Sequence, residues 1–453
     1  MTNPTPKPTV AAPAALATNV LLQPGRAALP AGQDSTVDVL LRLQAPARPA
    51  DAAPVARQPE ALALVIDKSG SMEGAPLQEA KRCARMVVER MHPGDSVAIV
   101  EFDDTVRRLW PATPRGDGAA QMAAIDAIEC GGSTDLHAGW ENGSQALADV
   151  AGQGLKRVIL LSDGGANHGE TDPTTIAAAC ARMAALGVST STYGLGEHFN
   201  EELMVQLARA GGGNSYYGDK AEDLMEPFER ELDLLDHLCL RDLRLTVTAP
   251  DGVTVQMLND LPATGAGWRL PDLAWSAEAW AVLRVTVPAS AQRAPGERVP
   301  VLRVALSALD ADGTPLALEK VGLALPVISP EAHAALPVDT LVHRRVSELA
   351  VAQELLRMRE AARNDDWDTV DSLLGDAIRR FADNEWVQSV LESMKKLAAQ
   401  REQRRLMKEA SYSASSMNLR LSAHDEAVHF SMQEENLKVA SYLRRKREQG
   451  KAQ

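Results

Sequence analysis

Aromatic residues make up only 4% of the 453-residue chain, so its cores must be built from aliphatic side chains and alanine-rich helices. Cysteine is scarce as well: Cys83, Cys130, Cys180 and Cys239 lie far apart and form no Cys-x-x-Cys pair. That spacing excludes a structural zinc knuckle and suits buried thiols in a reducing compartment. No apolar run reaches the roughly 18 residues a membrane helix needs. Residues 1–19 are rich in Pro, Ala and Thr and lack the basic start and apolar centre of a secretion signal. The expectation is a cytoplasmic protein with no membrane partner. The net charge of −14 favours solubility and argues against a nucleic-acid coat. No Walker-type phosphate loop, no helical His-x-x-x-His pair and no Ser/His/Asp grouping stands out.

What is present is a change of period along the chain. Residues 1–18 read as disordered. Residues 19–59 combine an alternating strand (Val37, Val39, Leu41, Leu43) with a Pro/Ala-rich linker. From 60 to 236 apolar strand runs, such as Ala61–Ile66, Val97–Phe102, Val158–Leu161 and Val188–Leu195, alternate with helical patterns. Strand–helix alternation predicts an α/β fold with a doubly wound, mostly parallel sheet. Across residues 237–330 the period becomes two, with Leu243, Leu245 and Val247 in one set and Leu283, Val285 and Val287 in another. This predicts an accessory β-sandwich that residues 20–45 would complete, leaving the α/β domain as an insertion. Residues 337–453 read as a C-terminal helical domain. One helix carries Val342, Val346, Leu349 and Leu356, a second runs from Trp367 to Phe381, and a third from Val387 to Leu397.

Directly after the strand Ala61–Ile66 comes Asp67-Lys68-Ser69-Gly70-Ser71. One carboxylate and two hydroxyls within five residues, at the carboxyl end of a sheet strand, are hard oxygen donors where open α/β sheets bind ligands. They suggest a divalent metal site. Two later segments add to the set. The loop Gly131-Gly132-Ser133-Thr134-Asp135 presents a hydroxyl and a carboxylate, and Ser162-Asp163-Gly164 follows another apolar strand. Taken singly, each residue could be a turn or helix-cap residue. Neighbouring strands of a doubly wound sheet would bring Asp67, Ser69, Ser71, Thr134 and Asp163 to one edge.

This ordered set resembles the von Willebrand factor A family, whose metal-ion-dependent adhesion site uses Asp-x-Ser-x-Ser, a Thr in a Gly/Ser-rich loop and an Asp after a later strand. The resemblance covers about residues 60–236 and suggests a bacterial intracellular type. It implies metal ligation by the hydroxyls of Ser69, Ser71 and Thr134, with Asp67 and Asp163 acting directly or through water. Mg²⁺ is the implied ion, with Mn²⁺ or Ca²⁺ as substitutes. Asp135 is either a residue behind the ligands or a helix cap. Lys68 reads as a solvent-facing position, and Asp103-Asp104 as a plain loop in preference to a pair that tunes the acidic rim. Gly211-Gly212-Gly213 follows a helix and reads as its C-cap.

The implied function is non-catalytic, metal-dependent protein–protein binding, in which a partner's Asp or Glu completes the cation's coordination. The domain arrangement also resembles inter-α-trypsin inhibitor heavy chains, which join such a domain to β modules. By analogy with the family, the partner could be an AAA+ ATPase or a kinase or phosphatase system. One alternative is a regulatory subunit of a MoxR- or chelatase-type ATPase complex. Another, less favoured, is a metal-dependent hydrolase. The basic cluster Arg444–Arg447 reads as a solvated helix face rather than a nucleic-acid site.

Overall fold

The computed structural model describes residues 18–48, 59–152, 154–163, 165–195, 200–218, 225–292, 294–419 and 422–423. The chain opens with three strands, β1 (Asn19–Pro24), β2 (Leu29–Pro30) and β3 (Ser35–Gln44). An α/β unit follows: β4 (Ala61–Asp67), α1 (Ala75–Arg90), β5 (Ser96–Phe102), β6 (Val106–Pro114), α2 (Ala119–Asp126) and α3 (Leu136–Ala148). It continues through β7 (Lys156–Ser162), α4 (Pro173–Ala185), β8 (Val188–Leu195), α5 (Glu201–Ala210), β9 (Gly212–Gly218) and α6 (Met225–Asp236).

The strand order is β6-β5-β4-β7-β8-β9, with every pair parallel except β5–β6. Every residue of β4, β5 and β8 is buried, as covered faces on both sides require. Alternate side chains enter different cores: Leu62, Leu64 and Ile66 pack with α1, while Ala61, Ala63 and Val65 pack with α3 and α5. The antiparallel edge strand β6, absent from the sequence reading, exposes Arg107 and Arg108, which suit an edge closed to further pairing.

The second β region comprises β10 (Leu238–Thr248), β11 (Thr254–Met257), β12 (Ala263–Thr264), β13 (Gly267–Arg269), β14 (Leu273–Ala274), β15 (Ala277–Val287), β16 (Arg298–Asp310), β17 (Pro315–Ala317) and β18 (Val321–Ile328). One sheet runs β1-β3-β15-β11 and the other β12-β13-β10-β16-β18-β2. β3 pairs with β15 over ten residues, from Ser35 opposite Val287 to Gln44 opposite Glu278. The chain thus leaves this two-sheet unit after β3 and re-enters it at β10. Leu41, Leu283 and Val301 share one continuous core with Leu64 and Val87 of the α/β unit.

A buried ionic cluster marks the junction. Arg157 of β7 bonds Glu231 of α6 at 2.6 Å and Asp272 of the β region at 3.1 Å. Glu231 also accepts from Ser191, Asn214 and Tyr216. Burial alone would raise the Glu231 pKa, but the Arg157 charge and these donors hold it below the usual carboxylate range.

Helices α7 (Pro330–Ala334), α8 (Thr340–Arg363), α9 (Trp367–Arg380), α10 (Glu385–Ala399) and α11 (Gln403–Leu419) close the fold, followed by β19 (Ser422–Ala423), which pairs with β15. Val351, Leu355, Trp367, Leu374, Trp386 and Met394 build the helical core. Asp366 and Asn384 cap the starts of α9 and α10. Leu356 does not face inward with Val342 and Leu349; it is 43% exposed, and the buried stripe of α8 runs through Leu355 and Met358 instead. The helix α11 falls where the sequence showed only a weak apolar period. Arg444–Arg447 lie outside the described residues. Among the described residues, no helix is long and apolar enough to cross a membrane.

Candidate metal centre

Asp67 is the last residue of β4, and β5 and β7 flank it in register. Its carboxylate is buried and held at both oxygens. Oδ1 accepts from the Ser69 amide at 2.8 Å, and Oδ2 accepts from the Ser162 hydroxyl at 2.5 Å. The chain then turns through Ser69 into a single 3₁₀ turn, Gly70–Met72. This sets the Ser69 and Ser71 hydroxyl oxygens 3.2 Å apart, with Ser69 buried and Ser71 exposed.

The loop before α3 is stitched to this turn by main-chain bonds: Gly131 N–H to Lys68 C=O at 2.7 Å, and Gly70 N–H to Gly132 C=O at 3.0 Å. Thr134 follows and is 1% exposed; its amide donates to the Asn167 side chain, and its carbonyl accepts from the Asn167 and His168 amides. Asp163, buried at the end of β7, lies close enough for its charge to act on Asp67. Asp67 thus ends β4, Ser69 and Ser71 follow it, Asp163 follows β7, and Thr134 lies on the loop tied to the Asp67 turn, all at the carboxyl edge of the sheet. Asp135 caps α3, accepting from the Ala138 amide at 3.0 Å. Gly211 is the C-cap of α5.

The donor set suits a hard cation. Burial raises the Asp67 carboxyl to about 6; the Ser162 and Ser69 hydrogen bonds oppose that rise, and the Asp163 charge adds to it. A buried carboxylate such as Asp67, with a second carboxylate beside it, is stabilised as an anion by a positive charge at that edge. Among the described residues, no group of three or more His, Cys, Asp or Glu side chains could hold a metal ion. The oxygen donors at this edge are two carboxylates and three hydroxyls, a set that suits an ion that accepts neutral oxygen ligands and retains water.

Two residues of this edge hold roles that the sequence did not show. Ser162 precedes Asp163 and sits beside Asp67 because β7 is the neighbour of β4. Asp103 is not an open rim residue. It is 5% exposed and bonds Lys68 Nζ at 2.7 Å, so Lys68 is not a solvent-facing position either. Burial would raise the Asp103 pKa, yet Lys68, the Thr105 hydroxyl and amide, and the Gly132 amide together pull it well below the usual range.

Residues 61–230 match the von Willebrand factor type A domain family. The protein YfbK of Escherichia coli is 32% identical over 176 residues, which span 38% of this chain and 30% of that protein. Inter-alpha-trypsin inhibitor heavy chain H1 of Mesocricetus auratus is 33% identical over 125 residues, 25% of this chain and 14% of that one. The similarity thus spans less than a third of either relative. Among solved structures, a von Willebrand factor type A protein from Catenulispora acidiphila superposes with a TM-score of 0.69 at 17% identity, covering 88% of this chain and 98% of that one. That match shows shared architecture across all three regions. Residues 61–230 of this chain are thus a von Willebrand factor type A domain.

Proposed function

We propose that this edge binds a divalent cation, Mg²⁺ in the first instance, and through it an Asp or Glu side chain of a protein partner. A von Willebrand factor type A domain points to an interaction or adhesion scaffold, and the present reading adds the metal dependence and the acidic anchor. The observation that carries it is the pair of Ser69 and Ser71 hydroxyls, 3.2 Å apart, beside a buried Asp67 fixed at both oxygens. Ser69, Ser71 and Thr134 would hold the ion, with Asp67 and Asp163 as charge partners at the ion or behind its waters. When bound, the cation supplies an electrophilic position for one more carboxylate. Three neutral hydroxyls offset little of its charge, so that position stays attractive to an anion.

The role is binding rather than catalysis. Ser162 holds Asp67 in one orientation, and Asn167 fixes the backbone at Thr134, so the donors are arranged before any ligand arrives. The helical region, with a core of its own, offers a second docking surface. The test is affinity purification of the wild type beside Ser69→Ala/Ser71→Ala, each with and without EDTA. Interactors lost in both the variant and the EDTA arms identify the partner, and an ATPase, kinase or phosphatase among them would name its machinery. Interactors retained in every arm would defeat the proposal, as would phosphatase or esterase activity that Asp163→Ala abolishes.

A further inference from the structure

Asp103 ties together both loops that carry the hydroxyl donors. Its main-chain carbonyl accepts from the Asp135 amide at 2.8 Å, one residue beyond Thr134. Its Oδ1 accepts from the Thr105 amide and hydroxyl at 2.8 and 2.7 Å, which locks its own rotamer. Its Oδ2 accepts from Lys68 Nζ at 2.7 Å, on the Asp67 loop, and from the Gly132 amide at 3.2 Å, on the Thr134 loop. A methyl group added at Gly131 would stand 2.0 Å from Asp103 Oδ2 and 3.0 Å from Lys68 Nζ. The loop therefore approaches the carboxylate as closely as a hydrogen atom allows. Gly131 has no left-handed φ and is exposed, so its missing side chain answers to this contact rather than to a turn.

We propose that Asp103 is the positioning residue of the metal centre: by bridging Lys68 and Gly132 it sets the separation between the Ser69/Ser71 hydroxyls and Thr134, and so sets cation affinity without touching the ion. This rests on the metal reading given above. The coordination distance is the quantity at stake, because a small divalent ion tolerates little change in donor spacing. Residues behind metal ligands typically change affinity by roughly tenfold to a hundredfold when altered. Removing the Asp103 charge and displacing its carboxylate with a methyl at Gly131 should be two routes to one effect.

The experiment is Mn²⁺ titration of the full chain followed by electron paramagnetic resonance, for wild type, Asp103→Asn, Gly131→Ala, their double variant and Ser69→Ala/Ser71→Ala. Thermal midpoints in EDTA show that each variant is folded. The wild type should bind Mn²⁺ and Ser69→Ala/Ser71→Ala should not. Asp103→Asn and Gly131→Ala should each weaken binding by about tenfold, and the double variant should be no weaker than the worse single one. Single variants that bind like the wild type overturn the positioning role while leaving the metal reading intact. Multiplying losses in the double variant also overturn it, since they would mean two independent effects. A wild type that binds no Mn²⁺ overturns the metal reading, and this one with it.

Discussion

Replacing Asp67 with asparagine should make the metal-free protein more stable, although it removes a residue of the proposed site. Burial lifts the Asp67 carboxyl from 3.8 to about 6, so the fold prefers its neutral form. That rise corresponds to roughly 3 kcal/mol lost on ionisation. The native state holds that proton more tightly than the unfolded chain does. The contribution of Asp67 is therefore full below pH 4 and lost as pH rises from about 4 to about 6. The substituted amide would still accept from the Ser69 N–H and would donate to the Ser162 oxygen, whose own O–H must turn away from residue 67 and takes back part of the gain. In EDTA at pH 7.5, Asp67→Asn should raise the thermal midpoint by on the order of 5 °C, and the gap should close near pH 4. Millimolar Mn²⁺ should stabilise the wild type and leave the variant unchanged. A variant that melts below the wild type in EDTA at every pH would refute the burial argument.

The remaining expectations concern packing. In Gly143→Ala the new methyl would lie 2.4 Å from Val65 Cγ2 and push α3 off the sheet, at roughly 1–3 kcal/mol in urea unfolding. Arg157→Met leaves Glu231 and Asp272 buried without their cation and should cost roughly 3–5 kcal/mol by the same assay, whereas Arg379→Met, in an ion pair with Asp376 that is exposed on both sides, should be nearly silent. Removing residues 1–48 deletes the ten-residue partner of β15; hydrogen exchange should show loss of protection in β15 and β11, with β4 and β7 still protected and Mn²⁺ still bound.

The α/β fold class was legible because each central strand is uniformly apolar and each intervening helix keeps its own period. Ala61–Ile66 reads as a strand covered on both faces, and β4 is one, running one residue further to Asp67. The edge strand β6 was not legible: one face is solvated, its charges are adjacent at Arg107 and Arg108, and prolines interrupt it at Pro111 and Pro114. Leu356 misled because a single apolar residue at helical spacing does not reveal which stripe is buried; α8 packs on the sandwich at one end and on its own bundle at the other, so its inward face changes along its length. At the proposed metal edge, residue type and strand-end position brought out the candidate donors. The supporting residues did not appear that way. Nothing in the local sequence shows that Asp103 sits 35 positions from Lys68 in the chain yet within 2.7 Å in space, because parallel pairing of β4 with β5 decides it.

The helix α8 is 24 residues long, about 36 Å from end to end. Near its start, the Arg345 guanidinium lies 4.5 Å from the Trp280 ring centre on the sandwich sheet. At its finish, Arg359 and Arg363 both reach Glu202 at 2.7 Å, on the first turn of α5. That turn follows β8 and so stands on the same rim as Asp67. The helix is therefore a strut between the two β-containing bodies, which the polypeptide itself joins only at its two crossings. A pull on the rim would pass through this helix as well as through the core and the Arg157 cluster that the two bodies share, so the rim is braced against swinging like a hinged flap.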